Sequence, residues 1–464
     1  MKLDLTTFAG ITTDSREVKP GYLFVALKGT KFNGEEYVKI ALDSGAALVL
    51  VSHEFDDAAF ANDKIVKVKN PRKALSEIAA RYYGAQPENI VAVTGTNGKT
   101  STVNFFRQIC KLAGYSSASM GTLGIIADGI SNDNDDAMTS PDPMILHAHL
   151  ALLYSRGITH LGIEASSHGL SQHRLDSVEI KAAGFTNLTR DHLDYHNNMH
   201  DYFNAKTRLF TEILPSSGTA VLNADVPEFA ILEAICKRRH VNIISYGKNA
   251  KHLKLLDAGK NITLEAFGKK YEEVFNLAGE FQYSNVLCAI GLAVGVGIPV
   301  EEAIVYISSL KAATGRLEKV ARHNGGDIYI DYAHSPDALE KTLLSLRHMY
   351  KGKLYVIFGA GGDRDVARRT LMGDVATKFA DFAIVTDDNP RTEDPAKIRM
   401  EIMAHCPNAK EFDDRTKAIE YGVGLLKKGD ALLIAGKGHE TYQIIGTKKI
   451  YYSDHDAVEA ALKT

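Results

Sequence analysis

The chain has 464 residues, more than one hydrophobic core can serve, so about two to four domains are expected. Hydrophobic residues make up 45% and charged residues 24%, the balance of a soluble globular protein, and a net charge of −3 excludes a general affinity for nucleic acid or anionic membrane. No apolar run reaches the length of a membrane span, and the start Met1-Lys2-Leu3-Asp4-Leu5 lacks a signal-peptide core, so a cytoplasmic protein without membrane insertion is the expectation.

Residues 1–87 read as a small α/β unit closed by the turn-like Gly84-Ala85-Gln86-Pro87. Next, the short apolar run Ile90 to Thr94 breaks into Gly95-Thr96-Asn97-Gly98-Lys99-Thr100-Ser101. Val103, Phe106, Ile109, Cys110 and Ala113 then recur at helical spacing until Gly114 stops them. A strand, a glycine turn and a helix N-terminus aim backbone N–H groups at one point, where Lys99 can neutralise phosphate and the Thr100 hydroxyl can ligate Mg²⁺. Val93 stands where the first glycine of the usual phosphate-binding loop would be, so the strand and helix on either side carry the assignment. ATP or a similar nucleotide is the expected ligand.

Further apolar runs alternate with helical stretches: His160 to Ala165, Ala182 to Asn187, Thr219 to Asn223, Asp327 to His334, Leu354 to Ala360, Phe382 to Asp387 and Ala431 to Ala435. Such alternation marks mostly parallel α/β sheets, whose ligands bind beyond the carboxyl ends of the strands. Lys248 to Val274 reads as antiparallel strands appended to the middle sheet. The expected units are 1–87, 88–312 and 313–464. The four cysteines, Cys110, Cys236, Cys288 and Cys406, lie far apart without metal-ligand spacing, as buried thiols of a reducing compartment do.

Glu164 follows one strand and His192 the next, so a carboxylate and an imidazole can reach one metal beside the phosphates. His196 is left open as a ligand. The helical segment Tyr202 to Phe210 carries Lys206 toward the same region; taken alone, a helical lysine is a solvated side chain.

Gly95 to Thr100, Glu164-Ala165-Ser166-Ser167-His168, Arg190-Asp191-His192-Leu193-Asp194, Ala205-Lys206, Gly315-Arg316, Asp331-Tyr332-Ala333-His334 and Gly436-Lys437-Gly438-His439-Glu440 occur in an order and at spacings that resemble the Mur ligases. These are ATP-dependent amide-forming enzymes of bacterial cell-wall precursor synthesis. The resemblance spans the chain and implies three domains: an N-terminal unit for a UDP-linked substrate, a central P-loop unit for ATP, and a C-terminal Rossmann-like unit for an amino acid. It implies that Gly95, Thr96, Asn97, Gly98, Lys99, Thr100 and Ser101 hold ATP phosphates, with Thr100, Glu164, His192 and a carbamylated Lys206 around Mg²⁺. Lys99, Glu164, His192 and Lys206 would be the catalytic set. Asn285 would contact adenine, with Gln282 where many members have asparagine, and Arg316 and Asp331 would complete the nucleotide site.

The same resemblance assigns Ser15, in Thr13-Asp14-Ser15-Arg16, to the uridine-nucleotide end, and Thr139, Ser140, Ser167, Gln172 and Arg174 to a clamp on the muramoyl-dipeptide. As plain sequence these are a capped turn and a polar loop. Arg364, Asp388, Asn389, Arg391, Gly436 and Glu440 would take the amino acid, with Arg364, Gly436 and Glu440 on its reacting end. The Asp388-Asn389-Pro390-Arg391 form goes with meso-diaminopimelate, whose far carboxylate suits a guanidinium fork, whereas lysine offers only an ammonium there. The implied reaction is ATP-driven activation of UDP-N-acetylmuramoyl-L-Ala-D-Glu as an acyl phosphate, followed by attack of the diaminopimelate amine, on a protein acting as a monomer. Alternatives are a lysine-adding or folylpolyglutamate-type ligase, a P-loop kinase of a small metabolite, and a nucleotide-gated binding module; the last two leave the motifs between 315 and 440 unexplained.

Overall fold

The computed structural model describes residues 3–29, 32–58, 60, 63–129, 138–193, 195–259 and 261–463. Its first sheet has four parallel strands in chain order, Gly10–Thr12, Tyr22–Val25, Leu48–Ser52 and Ile65–Val68. Helix Pro71–Tyr83 covers one face by burying Leu75 and Ile78 against Leu23, Val25 and Leu50. Local chemistry sets its ends: Asn70 accepts from the Lys73 N–H, Pro71 opens the first turn, and Gly84, at φ 75°, closes the last.

The second sheet has ten strands, in the order Lys269–Val274, Asn261–Ala266, Leu253–Ala258, Asn242–Gly247, Thr219–Asn223, Ile180–Phe185, Asn89–Thr94, His160–Glu164, Ser117–Gly121, Gly124–Ala127. Parallel pairing runs from Leu253–Ala258 through to Ser117–Gly121. The central strands carry unbroken apolar runs because helices bury both faces. The antiparallel appendage expected between 248 and 274 is present as a meander. Asn89–Thr94 lies between His160–Glu164 and Ile180–Phe185, so the chain segments that leave these three strands, at Gly95, Ala165 and Thr186, emerge side by side.

The third sheet orders Glu318–His323, Gly326–Asp331, Ala431–Ala435, Leu354–Phe358, Phe382–Val385 and Lys410–Glu411, parallel apart from the first pair. Leu339, Leu343, Leu346, Met372, Ala376 and Ile402 cover one face, and Ala418, Ile419, Val423, Ala457 and Val458 the other. Three strands end sooner than their apolar runs suggest, at Asp331, Phe358 and Val385, because the residues that follow leave the ladder for the cavity side of the sheet. A separate hairpin, Tyr442–Ile445 with Lys448–Tyr451, docks on this unit where Arg391 bridges Ile445. All four cysteines are free and buried. Among the described residues, no helix is long and apolar enough to cross a membrane.

Candidate active site

The turn after Asn89–Thr94 is built on two glycines with positive φ, Gly95 at 148° and Gly98 at 87°. A Cβ on Gly95 would lie 1.9 Å from Thr186 Oγ1, and one on Gly98 2.3 Å from Asn285 Oδ1, so neither position has room for a side chain. Neighbouring strand ends pin the loop. Asn187 accepts from the Thr96 and Asn97 N–H groups, each at 2.9 Å, and Thr186 Oγ1 donates to the Asn97 carbonyl at 2.6 Å. Helix Lys99–Leu112 starts without a side-chain cap, as phosphate-binding N-termini do. Its apolar face seats Val103, Phe106 and Ile109 on Val91, Val93 and Val286.

Lys99 Nζ donates to the carbonyls of Gly95 and Thr96 at 3.0 and 2.8 Å. Lys206, on helix Met199–Arg208 and 1% exposed, donates to the same Gly95 carbonyl at 2.7 Å. Burial lowers both amines. For Lys206 the shift is well below the ordinary lysine value, with the nearby Lys99 cation adding to burial.

Glu164 is buried and held from one side: Thr122 donates its N–H to Oε1 at 2.9 Å and its hydroxyl to Oε2 at 3.2 Å, and that hydroxyl also meets Thr139 Oγ1 at 3.1 Å. Gly121 brings the chain close enough for this, since a Cβ there would sit 2.2 Å from Glu164 Oε1. His192 adopts a positive φ of 53°, and burial pushes its imidazole down to about 4, against the pull of Asp191, so the ring is neutral with a lone pair to offer a metal. The His168 ring stands edge-on to it, centroids 4.9 Å apart. Among the described residues no group of three or more His, Cys, Asp or Glu is arranged to hold a metal. The expected donors form a mixed set of one hydroxyl, one carboxylate and one imidazole, with Lys206 beside them.

The third sheet completes this cavity. Arg316 Nη2 donates to Thr100 Oγ1 at 3.2 Å, and its guanidinium stacks on Tyr332, 4.4 Å from the ring centroid. Asp331 accepts the Leu317 and Ala333 N–H groups at 2.5 and 2.8 Å, which commits its carboxylate to shaping the loops around Arg316. Gln282, fully buried, accepts from Asn285 Nδ2 at 2.9 Å and so orients the Asn285 amide.

Two cavities meet here. One, of about 400 Å³, is lined by Thr96 to Ser101, Thr139, Glu164, His192, Asn285, Arg316 and Asp331. The other, of about 330 Å³, is lined by Arg364, Asp388, Asn389, Arg391, Gly436 and Glu440, together with His192. Asp191, His192, Tyr332 and His334 line both. Arg391, at φ 51°, donates from Nη1 to the Gly362 carbonyl at 2.7 Å. Asp388 is buried, and its Oδ2 has no hydrogen-bond partner among the described residues.

Gln172, Arg174, Ser140, Ser167 and Ser15 line neither cavity. Arg174 donates to Gln172 Oε1 at 2.8 Å, and Arg72, from the first unit, reaches the same oxygen at 3.4 Å. The Ser140 hydroxyl donates to the Glu164 carbonyl at 3.0 Å and accepts from the Ser166 N–H at 3.0 Å. Ser167 Oγ is buried without a partner among the described residues, and Ser15 opens a short 3-10 turn in the first unit. Sequence reasoning missed Thr122, Arg368 and Lys437. Arg368 pairs with Asp191 at 2.7 Å across the two sheets, a contact between residues far apart in the chain. Lys437 sits inside a motif that had drawn attention only for Gly436 and Glu440.

Known proteins share both sequence and fold. Residues 7–83 match the Mur ligase family catalytic domain, 93–293 the Mur ligase middle domain, and 315–438 the Mur ligase glutamate ligase domain. Curated relatives called UDP-N-acetylmuramoyl-L-alanyl-D-glutamate--2,6-diaminopimelate ligase are 46% identical in Mesorhizobium japonicum, over 98% of this chain and 94% of the relative, and 46% in Agrobacterium fabrum, over 98% and 93%. A solved structure of a ligase of that name superposes with a TM-score of 0.71 at 31% identity, covering 98% of this chain and 95% of the other. A MurF ligase from Thermotoga maritima, solved with ADP, shares the fold at a TM-score of 0.63 and 19% identity, over 99% and 98% of the two chains. This chain belongs to the Mur ligase family of ATP-dependent ligases.

Proposed function

We propose that this protein joins meso-diaminopimelate to UDP-N-acetylmuramoyl-L-alanyl-D-glutamate at the expense of ATP, as a cytoplasmic bacterial monomer of three units, 1–87, 88–312 and 313–464. The observation that carries the reading is the meeting of the two cavities at Asp191, His192, Tyr332 and His334. A phosphate-binding turn lies on one side, and a pocket with arginines and carboxylates on the other. Such mixed charge suits an amino acid with a carboxylate and an ammonium at each end.

ATP fits the first cavity: the glycine turn leads into an uncapped helix N-terminus whose backbone N–H groups can take phosphate, beside Lys99 and Arg316. Thr100, Glu164, neutral His192 and a carbamylated Lys206 form an oxygen and nitrogen donor set that fits Mg²⁺. When bound, the ion offsets charge on the transferring phosphoryl group. Burial pushes Lys206 toward the neutral amine, the form of lysine that carbon dioxide modifies, and the carbamate would replace a cation with an anion. The glutamyl carboxylate of the substrate attacks the γ-phosphorus, ADP leaves, and the acyl phosphate is attacked by the amine from the second cavity with loss of phosphate. Lys99 and Arg316 hold the phosphates, and Arg391 grips the far carboxylate. The Arg368–Asp191 pair keeps the two cavities in contact, so the protein acts mainly by positioning and neutralising. Phosphate release measured with the muramoyl-dipeptide and ATP tests the reading: it is expected to require diaminopimelate, and release that ignores the amino acid or prefers lysine overturns it.

A further inference from the structure

Lys437 lies in the turn Gly436-Lys437-Gly438-His439-Glu440, between strand Ala431–Ala435 and the hairpin strand Tyr442–Ile445. Its side chain is 0% exposed. Lysine is almost never fully buried unless it is paired, so the burial calls for a reason. Its hydrogen-bond partners are two residues already placed in the amino-acid pocket, and the centroid of the Tyr442 ring lies 5.7 Å from Nζ. Nζ donates to Glu440 Oε2 at 3.1 Å and to Asn389 Oδ1 at 3.3 Å. The triangle is closed by Asn389 Nδ2, which donates to the same Glu440 oxygen at 3.0 Å.

The donors around Asn389 leave its amide one orientation. The Ile444 N–H, which can only donate, meets Oδ1 at 2.9 Å, so Oδ1 is the acceptor for both that group and the ammonium, and Nδ2 must face Glu440. Glu440 Oε2 is thereby occupied twice. No described residue donates to its Oε1, and Glu440 lines the pocket. The pocket wall already holds the carboxylates Asp365 and Asp388 beside Arg364 and Arg391. Without the Lys437 ammonium, Glu440 Oε2 loses its charge-assisted contact, and the carboxylate is free to turn its second oxygen away from the pocket.

We propose that Lys437 is a positioning residue for amino-acid recognition: it holds Asn389 and Glu440 so that one Glu440 oxygen is presented to an ammonium group of the incoming amino acid. This deepens the proposed function and rests on it. The substrate feature read through Lys437 is the ammonium, and neither ATP nor the UDP-linked substrate depends on it.

The test compares wild type with Lys437→Met, which keeps the stem and removes the charge. The KM for diaminopimelate rises about tenfold or more, the scale of losing a charge-assisted hydrogen bond, while the KM values for ATP and the muramoyl-dipeptide stay within about twofold. Pimelate has both carboxylates and no ammonium, and its competitive inhibition stays within about twofold, which a general collapse of the pocket would not allow. An unchanged diaminopimelate KM, or equal weakening of pimelate, overturns the proposal. Should the Met variant not fold, Lys437→Gln, which retains a donor, is read in the same way; if neither folds while Glu440→Gln does, Lys437 is a stability residue and the proposal fails. Wild type that ignores diaminopimelate refutes the proposed function instead, and the variant-to-wild-type ratio is then taken with the amino acid the enzyme does use.

Discussion

Lys99 and Lys206, separated by more than a hundred positions in the chain, donate to one backbone oxygen, that of Gly95, at 3.0 and 2.7 Å. Burial lowers both amines, and the Lys99 charge further disfavours a charge on the more deeply buried Lys206. Of the two, Lys206 is the one held well below the ordinary lysine value, the direction that favours a nucleophilic amine.

In buffer free of bicarbonate, Lys206→Met is expected to raise the midpoint of thermal unfolding at neutral pH. The folded amine is shifted down from the ordinary 10.5, so the unfolded chain binds the extra proton. Stability therefore falls as pH drops below 10.5 toward the folded value, and methionine removes that slope. Calorimetry of both proteins across this range checks the sign; a variant less stable at every pH refutes it. The same variant should be nearly inactive, with partial rescue of Lys206→Ala by short carboxylates that stand in for the carbamate.

Lys99→Ala should lower phosphate release by about 10²–10³-fold or more while leaving the circular dichroism spectrum intact, because the cation serves the phosphates and the turn is held by backbone and by Asn187. Near-normal release from the folded variant would remove the phosphate assignment.

Arg391→Ala should weaken diaminopimelate by about 2–5 kcal/mol, the range for deleting one partner of a buried charge-assisted contact. Activity on lysine should stay low, since removing a guanidinium does not build a site for an ammonium. Steady-state kinetics with both amino acids decide it, and unchanged diaminopimelate kinetics would show that Arg391 is not the selector.

Arg415 and Asp454, both 0% exposed, form an ion pair at 2.7 Å between helices Arg415–Gly424 and Asp454–Ala461, and Arg415 Nη2 also donates to the Ala435 carbonyl at 2.9 Å. Arg415→Ala strands the Asp454 carboxylate and is expected to destabilise the protein by about 3–5 kcal/mol. Because Ala435 precedes the Gly436 to Glu440 turn, diaminopimelate binding should suffer before ATP binding does. Urea unfolding and the two KM values measure this, and a loss below about 1 kcal/mol would argue that the pair is dispensable.

Periodicity and residue type alone located Asn89–Thr94, Thr219–Asn223, Ala431–Ala435, the helix after Gly98 and the antiparallel segment before Val274, since these are local properties of runs buried on one or both faces. The order of motifs likewise identified the family and most of the residues that line the two cavities. Tertiary structure decided what lies between them. That Thr122 holds Glu164, that Arg368 reaches Asp191, and that Lys437 is buried behind Asn389 and Glu440 depends on which strand ends and loops fold together. Such contacts join residues distant in the chain through side-chain geometry, and neither hydrophobic period nor turn chemistry encodes that geometry in a single sequence. The titration of Lys206 belongs to the same class: a lysine on a helix is a solvated cation by composition, and its amine is pushed well below the ordinary lysine value only because packing removes the water around it.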